Sequence, residues 1–141
     1  MMPPVGVWTC PDCGRSFGRT GQSHMCVPAT TVDDWFADEP AEHRAIHDRI
    51  VEHLELLGDV RVEAVAVGIF YKRRRNLAEL RPRADHLGLA MVLPAGRDHA
   101  RFSRRTKMDG DRTSYSVPLR SPDDVDDQVR DWLTEAWDLC G

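Results

Sequence analysis

Apolar residues recur along the chain with two different periods, and the change of period divides it into elements. Between Glu39 and Leu57, the residues Ile46, Ile50, Leu54 and Leu57 are three or four apart. That is the repeat of one helix face, and it predicts a helix. Asp38 is the expected cap, Pro40 falls in the first turn where a missing N–H costs little, and Gly58 supplies a stop. A shorter helical turn is expected before it, opened by the capping box Thr31-Val32-Asp33-Asp34 and including Trp35 and Phe36.

The period then changes. Val60 to Tyr71 is rich in Val, Ile and aromatic residues and predicts a strand, with Gly68 marking a bulge or a close backbone approach. Leu87, Leu89, Met91 and Leu93 alternate with His86, Gly88, Ala90 and Val92, the period of two that gives a strand one core face. Phe102 to Lys107 and Arg112 to Leu119 flank Asp109-Gly110, a hairpin turn that tolerates positive φ. Ser121-Pro122-Asp123-Asp124 is expected to cap a last helix, with Val125, Val129, Trp132, Leu133 and Ala136 as its stripe. The order is a knuckle, a helix, about five strands and a helix. This predicts an α+β fold, with a mostly antiparallel sheet and helices on one face.

Of the 141 residues, 41% are hydrophobic and 30% charged, enough apolar surface for a folded domain that needs no disulfides. The longest apolar stretches, Ala64 to Tyr71 and Leu87 to Ala95, are too short to cross a bilayer, so no membrane partner is expected. Met1 to Gly6 lacks the basic and apolar regions of a signal peptide, which makes the cytoplasm the expected location. The net charge of −4 argues against a nucleic-acid partner until it is divided along the chain. Residues 61–120 carry fourteen Lys or Arg against six acids, for +8, between segments of −7 (residues 28–60) and −6 (residues 121–141). A basic middle is flanked by acidic segments.

The clearest chemistry is in Cys10-Pro11-Asp12-Cys13-Gly14, followed by His24-Met25-Cys26. Two residues separate the first pair of cysteines, so a tight turn can aim both sulfurs at one ion, and Gly14 suits the left-handed backbone that such a turn needs. His24 and Cys26 are two apart and point the same way in extended chain. Three thiolates and an imidazole suit one zinc ion, and four protein ligands make the site structural rather than catalytic. The competing reading is a redox dithiol. Trp8 and Phe17 supply apolar packing, and the knuckle is expected to span 1–28, with an α+β domain over 29–141. Cys140 is read as a partly buried helix-end thiol outside the site.

The Cys-Pro-x-Cys-Gly-Arg-x-Phe opening and the Gln22-Ser23-His24-x-Cys26 close resemble the N-terminal finger of some members of a bacterial family, the domain of unknown function DUF5655. Tyr71-Lys72, Leu80-Arg81-Pro82-Arg83, Asp85-His86-Leu87, Arg120-Ser121-Pro122, Asp126-Asp127 and Trp132-Leu133 also fit its pattern. The resemblance implies zinc, an α+β domain and a bacterial cytosolic setting. It implies no activity.

The densest basic cluster is Lys72-Arg73-Arg74-Arg75, with Arg81 and Arg83 soon after and Tyr71 adjoining. These residues are the candidates for contact with DNA or RNA, the cations on phosphates and Tyr71 by stacking. Arg101, Arg104, Arg105 and Lys107 extend the patch if their strands lie beside it. The alternative is a solvated turn whose charges partner the acidic helices. Trp8, Phe17, Trp35 and Phe36 exceed what a knuckle needs, which favours a protein-interaction or homodimer surface as the second reading.

Enzyme signatures fail one by one. His43 and His47 have chelating spacing, but a zinc protease needs Glu where Arg44 stands, so both are read as partly exposed helix histidines. His53-Leu54-Glu55 matches half of a zinc-deaminase signature whose cysteine half should follow it, whereas here the cysteines precede it. A site built from Asp85, His86, His99 and the central arginines, acting on a small anion, is the remaining catalytic reading. No residue is assigned a catalytic role, and the sequence favours a zinc-binding, non-enzymatic, nucleic-acid-binding module.

Overall fold

The computed structural model describes residues 8–24, 26 and 29–141. A small hairpin, β1 (Trp8–Thr9) and β2 (Ser16–Phe17), carries the knuckle. It is followed by β3 (Ala29–Thr30), α1 (Val32–Phe36) and α2 (Ala41–Leu57). Then come β4 (Arg61–Val65), β5 (Gly68–Lys72), β6 (Asn76–Pro82), β7 (Leu87–Pro94), β8 (Arg104–Lys107) and β9 (Arg112–Leu119). A single 3-10 turn, Pro122–Asp124, leads into α3 (Asp127–Leu139). The architecture is α+β.

Strands β3 to β9 form one antiparallel sheet in the order β3-β4-β5-β6-β7-β9-β8. Its register separates two faces. One row across the sheet is Ala64, Ile69, Leu80, Leu89 and Val117, every member buried. Against this inner face pack Ile46, Ile50 and Leu54 of α2, and Val129, Trp132, Leu133 and Ala136 of α3, which share one core with the sheet. A neighbouring row on the opposite face is Glu63, Phe70, Glu79, Ala90, Ser116 and Arg104, a mixture of acids, cations and small residues. The knuckle sits on this outer face at the β4–β5 end. Strand β8 is an edge strand, and all four of its residues are exposed.

Several boundaries differ from those expected. Seven strands replace about five. The predicted strand from Val60 to Tyr71 is a hairpin, because the chain turns at Ala66 and Val67. Gly68 marks a close approach: a Cβ there would lie 2.6 Å from the carbonyl oxygen of Leu80 on β6. The irregularity in register falls instead between Tyr71 and Lys72. Strand β6 has no signature in the sequence, since Asn-Leu-Ala-Glu-Leu-Arg-Pro contains no β-branched residue. Helix α2 begins at Ala41, with Pro40 as its N-cap in an extended conformation and no side-chain cap, so Asp38 has no capping role. Ser121 and Asp124 do form a capping box, but around the 3-10 turn, and Asp126 caps α3 through the amide of Val129. At α1 one half of the expected capping box forms, with the Thr31 hydroxyl accepting from the Asp34 amide.

Beneath the inner face, Nδ1 of His47 and the Tyr71 hydroxyl share a 2.7 Å hydrogen bond. His47 is buried, not partly exposed as expected, and its burial lowers its pKa to about 4, although Asp48 pulls the other way. An unfolded histidine titrates near about 6.5, so the unfolded chain takes up this proton first. The resulting stability is complete above that pH and is lost as pH falls toward 4. Urea unfolding across this range should show a loss from this group approaching roughly 3 kcal/mol. His47→Gln should have a correspondingly flatter pH dependence, and parallel profiles would show that His47 is not the titrating group.

Candidate metal centre and basic face

The knuckle's turn is set by its backbone. The Gly14 amide donates to the Cys10 carbonyl at 2.9 Å, with Gly14 at φ +75°, while the Cys10 amide donates to the Arg15 carbonyl at 2.8 Å. Cys10 and Cys13 are thereby presented from one tight loop to His24 and Cys26, and the four ligand atoms lie within 4.8 Å of one another. The Cys10 and Cys26 sulfurs are 3.8 Å apart, and Nε2 of His24 is 3.4 Å from the Cys13 sulfur and 3.1 Å from that of Cys26. A tetrahedron with metal–sulfur bonds of about 2.3 Å has sulfur–sulfur edges of about 3.8 Å, so the cluster has the dimensions to hold one metal ion. Nδ1 of His24 donates to the Gln22 carbonyl at 2.7 Å, which leaves Nε2 as the free ligand nitrogen. Phe17 stacks on the same imidazole with centroids 4.0 Å apart.

Crowding among the sulfurs calls for a cation. Burial opposes ionisation of Cys10, yet hydrogen bonds from the Cys13 and Asp12 backbone lower its pKa to about 7. Desolvation and the neighbouring Cys10 and Cys13 raise the Cys26 thiol to about 11. A cation among the sulfurs would offset the repulsion that holds the Cys26 proton.

A nearly buried carboxylate docks the knuckle to the sheet. Glu63 on β4 accepts from the Ser16 amide at 2.7 Å, lies 2.6 Å from the Lys72 ammonium and 3.5 Å from Nε of Arg15. Lys72 also donates to the Ser16 carbonyl at 2.6 Å and lies over the ring of Phe17. Arg15 lies over Phe70 on the outer face.

This arrangement corrects two expectations. Lys72 is 2% exposed and committed to Glu63 and the knuckle, so it cannot reach a phosphate. Tyr71 is fully buried against His47 and cannot stack on a base. The rest of the cluster divides in two. Arg73 donates to the Trp137 carbonyl and Arg75 to that of Leu139, while the amides of Arg74 and Arg75 approach the Cys140 carbonyl. The β5–β6 turn is therefore the C-terminal cap of α3, with cations at the negative end of the helix. Arg74 makes no ion pair among the described residues.

The cations assemble on the outer face. Between the knuckle and the sheet lies a groove of about 440 Å³ lined by Arg15, Lys72, Arg74, Arg75, Arg81 and Arg112, with no acidic residue among the described residues that line it. A second groove of about 330 Å³ continues over β6, β7, β9 and β8 and contains Arg81, Arg83 and Arg104. Its one carboxylate, Glu79, pairs with Arg81. The sequence does not single out Arg15 and Arg112, because each stands alone among other residue types. Arg101 and Arg105 do not extend the face: Arg101 pairs with Asp126, and Arg105 with Asp98.

The other candidates do not assemble. Nδ1 of His86 is 2.6 Å from a carboxylate oxygen of exposed Asp85, whereas His99 packs on Phe102 and Trp132, and no contact joins the two groups among the described residues. His43 bonds Glu39 rather than sharing a metal site with His47. Cys140 is fully buried at the end of α3. The aromatic residues read as surplus are used internally: Phe17 and Phe36 are buried, and Trp8 and Trp35 pack against the two cores.

An antiparallel sheet with helices on one face, and a Cys3His knuckle docked on the other, defines a small α+β protein with a candidate metal centre. The chain belongs to the family of the domain of unknown function DUF5655, whose model matches residues 32–140. That match covers the sheet from β4 onward and all three helices, and leaves the four cysteine and histidine ligands outside it. No curated protein and no solved structure matches the chain.

Removing the Glu63 charge leaves the buried Lys72 ammonium without the carboxylate 2.6 Å from it. Glu63→Gln should therefore cost about 3–5 kcal/mol in equilibrium unfolding. A loss below about 1 kcal/mol would show that the docking does not depend on this pair.

Proposed function

We propose that the protein is a non-enzymatic, zinc-stapled module that binds nucleic acid through its basic outer face. The observation that carries this reading is the groove beside the knuckle, lined, besides the buried Arg15 and Lys72 that contact Glu63, by Arg74, Arg75, Arg81 and Arg112 and by no acid among its described residues. Arg74, Arg75, Arg81 and Arg83 contact phosphates, Arg112 and Arg104 extend the surface, and Arg73 supports it by capping α3. Binding of this kind needs cations in a continuous track rather than a convergent acid–base pair. Exposed large apolar residues among the described residues are Leu56 and Val67, on different elements, so an apolar protein-docking face has little support.

Zinc is the ion that suits three thiolates and one imidazole, held by Cys10, Cys13, His24 and Cys26. Bound there it contributes folding energy and keeps no reactive water. The knuckle up to residue 28 acts as an accessory to the domain over 29–141, and the setting is the cytoplasm. No described helix is long and apolar enough to cross a membrane.

Elemental analysis should find about one zinc per chain, and Cys13→Ser should lose it. Full zinc retention in that variant would remove Cys13 from the ligand set. Fluorescence anisotropy with labelled oligonucleotides should show binding that weakens steeply with salt. Replacing Arg74, Arg75 and Arg81 by Gln should weaken it and make the log–log salt slope shallower. The change should be about 0.9 for each phosphate no longer neutralised on a duplex, or about 0.7 on a single strand. Unchanged affinity and slope would overturn the assignment.

A further inference from the structure

The two grooves adjoin, since Arg81 and Met108 line both. Together they cross the sheet from the knuckle over β5 and β6 to β7, β9 and edge strand β8. Four strand spacings of about 4.8 Å make a track of about 19 Å, suited to about four nucleotides, the lower end of the site sizes of folds that bind single strands.

Resting on the nucleic-acid reading above, we infer that this track is one trough for a single strand, with a second phosphate subsite formed by Arg83 and Arg104 at its far end. The floor between these arginines is Gly88, Ala90, Ser114 and Ser116, all small. Register places Ser116 beside both Ala90 and Arg104, so a hydroxyl and a guanidinium flank the same position. A Cβ on Gly88 would come 3.3 Å from Nε of Arg83, and the glycine leaves that guanidinium room to lie along the sheet. Arg83 and Arg104 make no ion pair among the described residues, and Glu79 is already taken by Arg81.

The shape selects a single strand. A duplex is read by a convex element, a helix or ribbon entering its major groove. Here the cations line a depression with the knuckle as one wall, which a cylinder cannot fill but an unpaired strand can. Phe70, half-buried in the first groove and backed by Arg15, offers a ring for a base.

The test uses the full chain loaded with zinc, and labelled oligothymidylates from dinucleotide to octanucleotide beside a duplex of matching strand length. Arg104 is exposed on an edge strand, so Arg104→Gln should fold normally, which circular dichroism verifies. The octanucleotide should bind about tenfold more tightly than the duplex at equal salt. Arg104→Gln and Arg83→Gln should each weaken the octanucleotide about fivefold and the dinucleotide by a smaller factor. Equal binding of duplex and single strand, or an octanucleotide indifferent to both substitutions, would overturn the trough while leaving the basic groove as a nucleic-acid site. No binding of any oligonucleotide at low salt would remove both.

Discussion

Glu63 joins two parts of the molecule that have separate reasons to exist. Its carboxylate is nearly buried between the Lys72 ammonium, the Arg15 guanidinium and the Ser16 amide. Lys72 and Glu63 stabilise each other in so dry a place, because either charge alone carries a desolvation cost of several kcal/mol, and Arg15 adds a second cation beside them. The knuckle can sit on the sheet only where β4 and β5 place Glu63 and Lys72 side by side on its outer face. That position determines which cations become the wall and floor of the groove.

The run from Lys72 to Arg75 shows how adjacent residues of similar charge separate once they fold. Lys72 points into the dock, Arg73 and Arg75 reach carbonyls at the end of α3, and Arg74 lines the groove. The groove then recruits Arg81 from β6 and Arg112 from β9. Chain proximity makes the first four look like one patch, whereas strand pairing makes the surface out of residues far apart in the chain.

Local chemistry is legible in the chain and long-range pairing is not. The ligand quartet can be read because its spacing alone dictates a turn and an extended pair, and the cap at Thr31 and the stripe of α2 are likewise local patterns. Strand β6 is hidden because Leu77, Ala78 and Leu80 gain their burial from neighbours on β5 and β7 rather than from an alternating signature. Tyr71 looks available beside a basic run. Its phenol is turned inward by strand parity, and its partner His47 lies on a helix 24 residues away. Arg15 and Arg112 carry no signal, since only the docked knuckle and the β8–β9 hairpin bring them to one groove.

The edge strand β8 has a consequence beyond ligands. Among the described residues the sheet ends in β8, whose outer edge has no strand partner and invites another strand to add on, while the opposite edge is guarded by the brevity of two-residue β3. Arg104 and Lys107, with Arg105 paired to Asp98, give β8 a positive border that repels an identical border on a second molecule.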